Sequence, residues 1–291
     1  MRKSASRKVF EVCNVIFMLL LCAVMLYPFI WTASASLSNS GAVGAGQVTL
    51  LPVGFTVDAY KHVLGYSKVW TAYGNTLWYT VVGTMVSLIM TICGAYPLSR
   101  SDFYGKGVFV FFITLTMIFS GGLIPSFLVN RFLGLYNSRW AIILPGCLST
   151  MNMIIMRTFF QNIPDALEEA ATIDGCSDFQ ILIRIILPLS TASIMTIGMF
   201  YAVGYWNSWF SALIYLRDTD KYPLQLVLRQ IVLQNQVLDL QGVESADDAA
   251  RMTGESIKYA VVMVATIPIL CVYPFVQKYF VKGVMVGSIK G

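Results

Sequence analysis

Apolar residues in this chain fall in long unbroken blocks rather than in alternation. Six such blocks, at about 11–33, 70–97, 107–129, 141–160, 187–215 and 257–279, are separated by polar stretches. A hydrocarbon core about 30 Å thick needs roughly 20 residues of helix to cross it. Each block reaches that length. Strands of a membrane barrel would alternate with period two, which these blocks do not. The pattern predicts an all-α membrane protein with six transmembrane helices in a lipid bilayer.

The first block has an alternative reading. A basic start (Arg2, Lys3, Arg7, Lys8), an apolar run and Ala33-Ser34-Ala35 resemble a signal peptide with a cleavage site. The run from Val12 to Trp31 exceeds the roughly 7–15 residues of such a core, and Pro28 interrupts it. A retained span is therefore expected. Six spans put both termini on one side, and a basic N-terminus with no acid before Glu11 makes that side the cytoplasm. Inside would then lie the N-terminus 1–10, the loops 98–106 and 161–186, and the tail 280–291, around a transmembrane domain at 11–279.

Composition narrows the function. Only 12% of the 291 residues are charged, against about a quarter in a soluble domain. The spans hold almost no charge in their middles, which counts against an ion-coupled carrier, because such carriers bind their ion at mid-membrane. No cluster of His and carboxylates lies within the spans, so no catalytic residue is expected. The six cysteines show no metal-ligand spacing, so neither a metal site nor a disulfide framework is implied. Nothing points to nucleic acid.

Outside the membrane, 34–69 is rich in Gly and Ser, and 216–256 forms a longer segment. In the latter, Pro223 suits the first turn of a helix with Leu224, Val227, Leu228, Ile231 and Asn235 on one face. Its second half, from Asp239, is acidic. The fifth block carries a polar aromatic group: Tyr201, Tyr205, Trp206, Asn207, Ser208 and Trp209. Aromatic faces stack on sugar C–H faces, and Asn hydrogen-bonds hydroxyls. An interfacial aromatic belt would have the same composition.

The stretch 161–188 is the exception in an apolar chain. Pro164 suits a helix start, and Asp165, Glu168 and Glu169 load its first turns with negative charge. Gly175 tolerates positive φ and turns the chain, and Ser177 or Asp178 can cap a second helix leading to Pro188. A plain connector between antiparallel spans needs only a few residues. A helix–turn–helix knob of this size is built for docking.

Glu169-Ala170-Ala171, then Gly175, then nine residues and Ile185-x-Leu187-Pro188 resemble the EAA loop of ABC-importer permeases. The ending KGVMVGSIKG, Asn75-Thr76-Leu77 and Trp206-Asn207 are similar to the maltose-importer-like carbohydrate branch. Residues 121–146 look closest to permeases for complex-polysaccharide fragments, a group that includes the alginate-oligosaccharide importer. The resemblance implies the ABC type I importer permease architecture with a cytoplasmic coupling helix, in a bacterial inner membrane. It implies a non-catalytic permease of a carbohydrate importer, for oligosaccharides that include acidic, alginate-like ones.

Implied partners are a second, non-identical permease, two ATP-binding subunits and an extracytoplasmic solute-binding protein. ATP and Mg would sit on the ATPases, and no cofactor on this chain, which has no phosphate loop. Docking to the ATPases is expected of Glu168, Glu169, Ala170, Ala171, Asp174 and Gly175. Tail contacts are expected of Gly287, Ser288 and Lys290. The substrate pathway is expected to involve Asn75, Tyr205, Trp206, Asn207 and Trp209. A permease for a non-sugar solute, or an ion-coupled carrier, would be the alternatives.

Overall fold

In the computed structural model, residues 5–240, 256–271 and 274 are described, and every regular element among them is helical. In chain order they are α1 (Ala5–Ser36), α2 (Ser40–Gly44), α3 (Asp58–Gly65), α4 (Ser67–Ser99), α5 (Lys106–Ile118) and α6 (Leu123–Phe132). Then follow α7 (Trp140–Ile143), α8 (Thr150–Gln161), α9 (Asp165–Ile173), α10 (Asp178–Ile181), α11 (Leu187–Leu189), α12 (Thr191–Trp206), α13 (Phe210–Tyr215) and α14 (Leu224–Leu240). The last is α15 (Ser256–Cys271).

Among the described residues, two helices are continuous, long and apolar enough to cross a membrane: α1 from Arg7, and α4. Three of the expected spans are broken instead. The block at 107–129 is α5 and α6, bent by 117°; that at 141–160 is α7 and α8, bent by 53°. The block at 187–215 bends by 83° between α11 and α12, and breaks again before α13. Local chemistry accounts for each break. Gly121 and Gly122 part α5 from α6, with Gly122 at φ +80°, where only glycine is unstrained. Pro145 lies in the single turn after α7, and Ser149 caps α8. Before Pro188 the helix widens to a π turn over Leu182–Ile186, relieving the clash of the proline ring with the carbonyl four residues back. Of the last expected span, α15 is described.

The chain divides into two compact units, one of residues up to Val69 with Leu228–Ile269, the other from Trp70 to Val227. In the first, the Gly/Ser-rich stretch is folded rather than slack. Trp31 Nε1 donates to the Val48 carbonyl (3.0 Å), and Ser34 Oγ to that of Leu50 (2.6 Å). Ser38 Oγ accepts from the Val53 amide (3.0 Å), and Ser256 Oγ donates to the Ser38 carbonyl (2.9 Å). Ala35, Val43 and Val48 close a small apolar plug under Trp31 and Tyr259, whose rings meet edge-on.

In the second unit α4 and α12 are fastened by hydroxyl pairs. Thr91 meets Tyr201 at 2.7 Å and Ser87 meets Tyr205 at 2.9 Å. Lipid is as apolar as a leucine side chain, so helices inside a membrane associate through small residues and hydrogen bonds. Both are present. A Cβ on Gly83 would lie 2.7 Å from the Tyr205 ring, and one on Gly198 would lie 3.2 Å from Leu88. Around this seam Tyr79, Ile143, Met156, Phe160, Ile186 and Ile197 are fully buried.

Candidate functional site

Pro164, with φ −59°, opens α9, and Asp165 and Glu168 stand in its first turn. The helix ends in a tight turn: the Gly175 amide donates to the Thr172 carbonyl and the Cys176 amide to that of Ala171, each at 3.0 Å. Gly175 takes φ +83°, so any other residue there is strained. Ser177 and Gln180 then form a reciprocal capping box that starts α10. Helix, glycine turn and second helix stand as the charge and glycine pattern anticipates.

The knob faces two ways. Ala171 is buried, while Glu169, Ala170, Asp174 and Gly175 are exposed. Ile173 is 86% exposed and Phe179 70%, so the surface bearing the exposed residues is partly apolar. Glu168 lies on the inward side. It forms an ion pair with Arg100, and both side chains are largely buried. Arg100 also donates to Ser99 Oγ (2.9 Å) and the Phe160 carbonyl (3.1 Å), with its guanidinium 5.1 Å from the centre of the Tyr96 ring. Burial pulls the Arg100 guanidinium below its ordinary value, against the attraction of Tyr96, Asp165 and Asp102. Beside it Arg157 Nε donates to the Leu98 carbonyl (2.8 Å) and Lys106 Nζ to that of Arg100 (2.8 Å). Sequence reasoning missed Arg100. The signal was a cation one residue past α4, in a loop expected on the same side as the knob.

At the other end of α4, Asn75 is buried and committed to the protein. Its amide nitrogen donates to the carbonyls of Asp220 (2.7 Å) and Tyr222 (3.1 Å), and its oxygen accepts from Arg139 (3.0 Å). Arg139 lies over the Trp78 ring at 5.3 Å. Tyr79 Oη donates to the Lys221 carbonyl (2.9 Å), and Thr76 Oγ1 accepts from the Leu224 amide (2.7 Å). These bonds staple the turn before α14 onto α4. In that turn Asp218 is held below the usual carboxylate range, chiefly because it accepts from the Asp220 amide, with Lys221 adding to the effect. Leu224, Val227 and Leu228 of α14 are buried as the amphipathic pattern requires, and Leu226 joins them.

The other pathway candidates do not share one surface. Tyr205 and Trp206 are buried, and the Tyr205 hydroxyl is held by Ser87. Asn207 is exposed, with its amide nitrogen donating to the Val203 carbonyl (3.0 Å). Trp209 is half-buried, edge-on to Phe210. Gly287, Ser288 and Lys290 lie outside the described residues, as does the acidic segment 241–255.

Residues 83–286 match the family described as the binding-protein-dependent transport system inner membrane component. The permease YtcP of the polygalacturonan/rhamnogalacturonan transport system of Bacillus subtilis (strain 168) is 43% identical over 277 residues, covering 94% of this chain and 96% of that one. Protein LplC of the same organism is 40% identical over 291 residues, covering 100% and 98%. Among solved structures, a bacterial ABC transporter involved in the import of the acidic polysaccharide alginate has a chain that is 36% identical. It aligns at a TM-score of 0.84, covering 96% of this chain and 99% of that chain. With the matched region extending over well more than half of its length, this chain belongs to the family of binding-protein-dependent transport system inner membrane components.

Proposed function

We propose that this chain is a membrane-spanning permease subunit of an ATP-driven carbohydrate importer, taking up oligosaccharides of the acidic, alginate- or polygalacturonan-like kind. The observation that carries the reading is the α9–Gly175–α10 knob, in a chain whose relatives are named for polygalacturonan/rhamnogalacturonan and alginate import. Six spans, a cytoplasmic knob and cytoplasmic termini complete the architecture. Two ATPase subunits, a second permease and a solute-binding protein complete the machine. The subunit performs no chemistry itself.

In this reading Glu169, Ala170, Ile173 and Asp174 form the face that an ATPase subunit grips. The mixture suits docking: exposed apolar side chains gain from leaving water, and the carboxylates meet cationic groups at the rim. Gly175 keeps α9 at a fixed angle to the spans. ATP-driven closure then moves the knob as a rigid body, and the helices behind it alter access to the pathway.

The test uses the assembled complex with its binding protein. Glu169→Lys and Gly175→Pro are expected to abolish sugar-stimulated ATP hydrolysis while the chain still inserts and assembles with the second permease. Normal stimulation in both variants would overturn the docking assignment. Failure of the wild-type complex to import any oligosaccharide would overturn the substrate class.

A further inference from the structure

A cleft of about 370 Å³ opens where α5 breaks into α6, lined by Ser120, Gly121, Gly122, Ser126, Phe210 and Ser211 together with the flanks of α6 and α13. At 1.5 Å per residue, the thirteen residues of α5 place this break about 20 Å along its axis from Lys106. It therefore lies inside a stretch apolar enough to cross the membrane. Among the described residues, the amides of Ser120, Gly121, Gly122, Leu123 and Ile124 have no hydrogen-bond acceptor, and all five residues are exposed. In hydrocarbon an open amide is strongly disfavoured, so irregular backbone at this depth must border protein or a watery passage.

The lining favours the passage. Ser211 carries a hydroxyl with no partner among the described residues, and Ser126 Oγ donates to the Gly122 carbonyl (2.7 Å), leaving its own oxygen free to accept. Phe210 presents half its surface. Among the described residues, no charged side chain lines the cleft. Phe127 stacks on Tyr215 at 6.2 Å and 9°, fixing α6 against α13 so that the walls are set in advance. Open amides, serine hydroxyls, bare glycine backbone and one aromatic face are complementary to an uncharged polyhydroxyl surface.

We infer that this cleft is a carbohydrate subsite on the translocation path. It takes the hydroxyl-bearing face of one sugar ring, while any carboxylate of that sugar points away from it. The inference rests on the carbohydrate-importer reading and deepens it. It moves the sugar-contacting surface from Asn75 and Tyr205, whose polar atoms are held by the protein, to Ser120, Ser126, Phe210 and Ser211.

The experiment places a cysteine at the site by Ser211→Cys. The assembled complex with its binding protein is held in the substrate-loaded state by a non-hydrolysable ATP analogue. Reaction with a hydrophilic thiol reagent is followed by mass spectrometry of the peptide containing position 211, so the native cysteines do not interfere. The probe is whichever of an oligogalacturonide and an alginate oligosaccharide the wild-type complex imports. The introduced thiol is expected to react readily without sugar. With the probe at about ten times its Kd it should react about tenfold more slowly, by mass action. A thiol that never reacts shows the cleft sealed by the second permease, and one that reacts equally with and without sugar shows no subsite; either overturns the inference. Ser120→Cys gives the same readout if Ser211→Cys does not assemble. Import of neither probe by the wild-type complex overturns the acidic-oligosaccharide reading on which the inference rests and is distinguished from both results.

Discussion

At one end of α4, Arg100 lies over the Tyr96 ring and pairs with Glu168 of α9; at the other, Arg139 lies over the Trp78 ring and donates to Asn75. Each end thus holds a segment remote in sequence through an arginine braced on an aromatic face. The chemistry differs. The Glu168 link is a charge pair between two side chains, whereas Asn75 binds the backbone carbonyls of Asp220 and Tyr222. A largely buried ion pair is costly to break one-sidedly, because the surviving charge is left in a poor solvent. A neutral amide bound to carbonyls is weaker per bond than a charge-assisted pair. The knob is thus tied to the spans by a charge pair, by the Tyr96 hydroxyl donating to the Asp178 carbonyl (3.4 Å) and by buried Ala171 and Ile181, and the turn before α14 by several bonds to its backbone.

That contrast is broken most severely at the knob. Arg100→Ala is expected to destabilise the protein by about 3–5 kcal/mol, the cost of orphaning a buried charge, read as a lowered unfolding midpoint in detergent. In the complex it should also remove sugar-stimulated ATP hydrolysis. Exchanging the charges, Arg100→Glu with Glu168→Arg, should recover part of both. An exchange no better than the single change would show that Arg100 acts through Ser99 and Phe160 instead.

The seam between the two ends supplies the next largest effect. Gly83→Val drives a side chain into the Tyr205 ring, and overpacking of this kind costs about 3 kcal/mol at the upper end of its range. A midpoint unchanged from wild type would mean that Tyr205 swings clear. At the far end, Asn75→Ala leaves Arg139 and two carbonyls short of a partner, a loss of about 1–2 kcal/mol. Limited proteolysis should find cleavage concentrated at 217–223 while α9 remains protected. Equal cleavage at both ends would erase the distinction between them. The smallest effect is Thr91→Val. Tyr201 keeps the bond from the Ser149 amide, so losing one interhelical hydroxyl pair should cost only about 0.6 kcal/mol, measured against the same unfolding transition.

Much of this was legible along the chain because it depends on near neighbours. Pro164, Asp165, Gly175 and Ser177 act within a turn of themselves, so their order is enough to draw the knob. Leu224, Val227 and Leu228 likewise mark their own helix face. The breaks at Gly121-Gly122 and Ser190 were less legible, since hydropathy averages over a window and cannot register a bend between two apolar helices. The ordering of 34–69 was hidden as well. Its serines look like linker residues until the Leu50 carbonyl and the Val53 amide stand within reach.

The amino-acid order by itself determined that this is a helical membrane protein, where its apolar blocks lie, and that a charged knob interrupts them. Burial of apolar area, capping and glycine conformation are local and set those features. Tertiary structure decided which polar side chains serve the protein and which remain open. Glu168 and Glu169 are adjacent and chemically identical. One turns to Arg100, 68 residues back in the chain, and the other to solvent. Asn75 became a staple and Ser211 a lining group for the same reason. A hydrogen-bonding group takes its role from the partners that folding brings within about 3 Å, and that distance is not written in sequence separation.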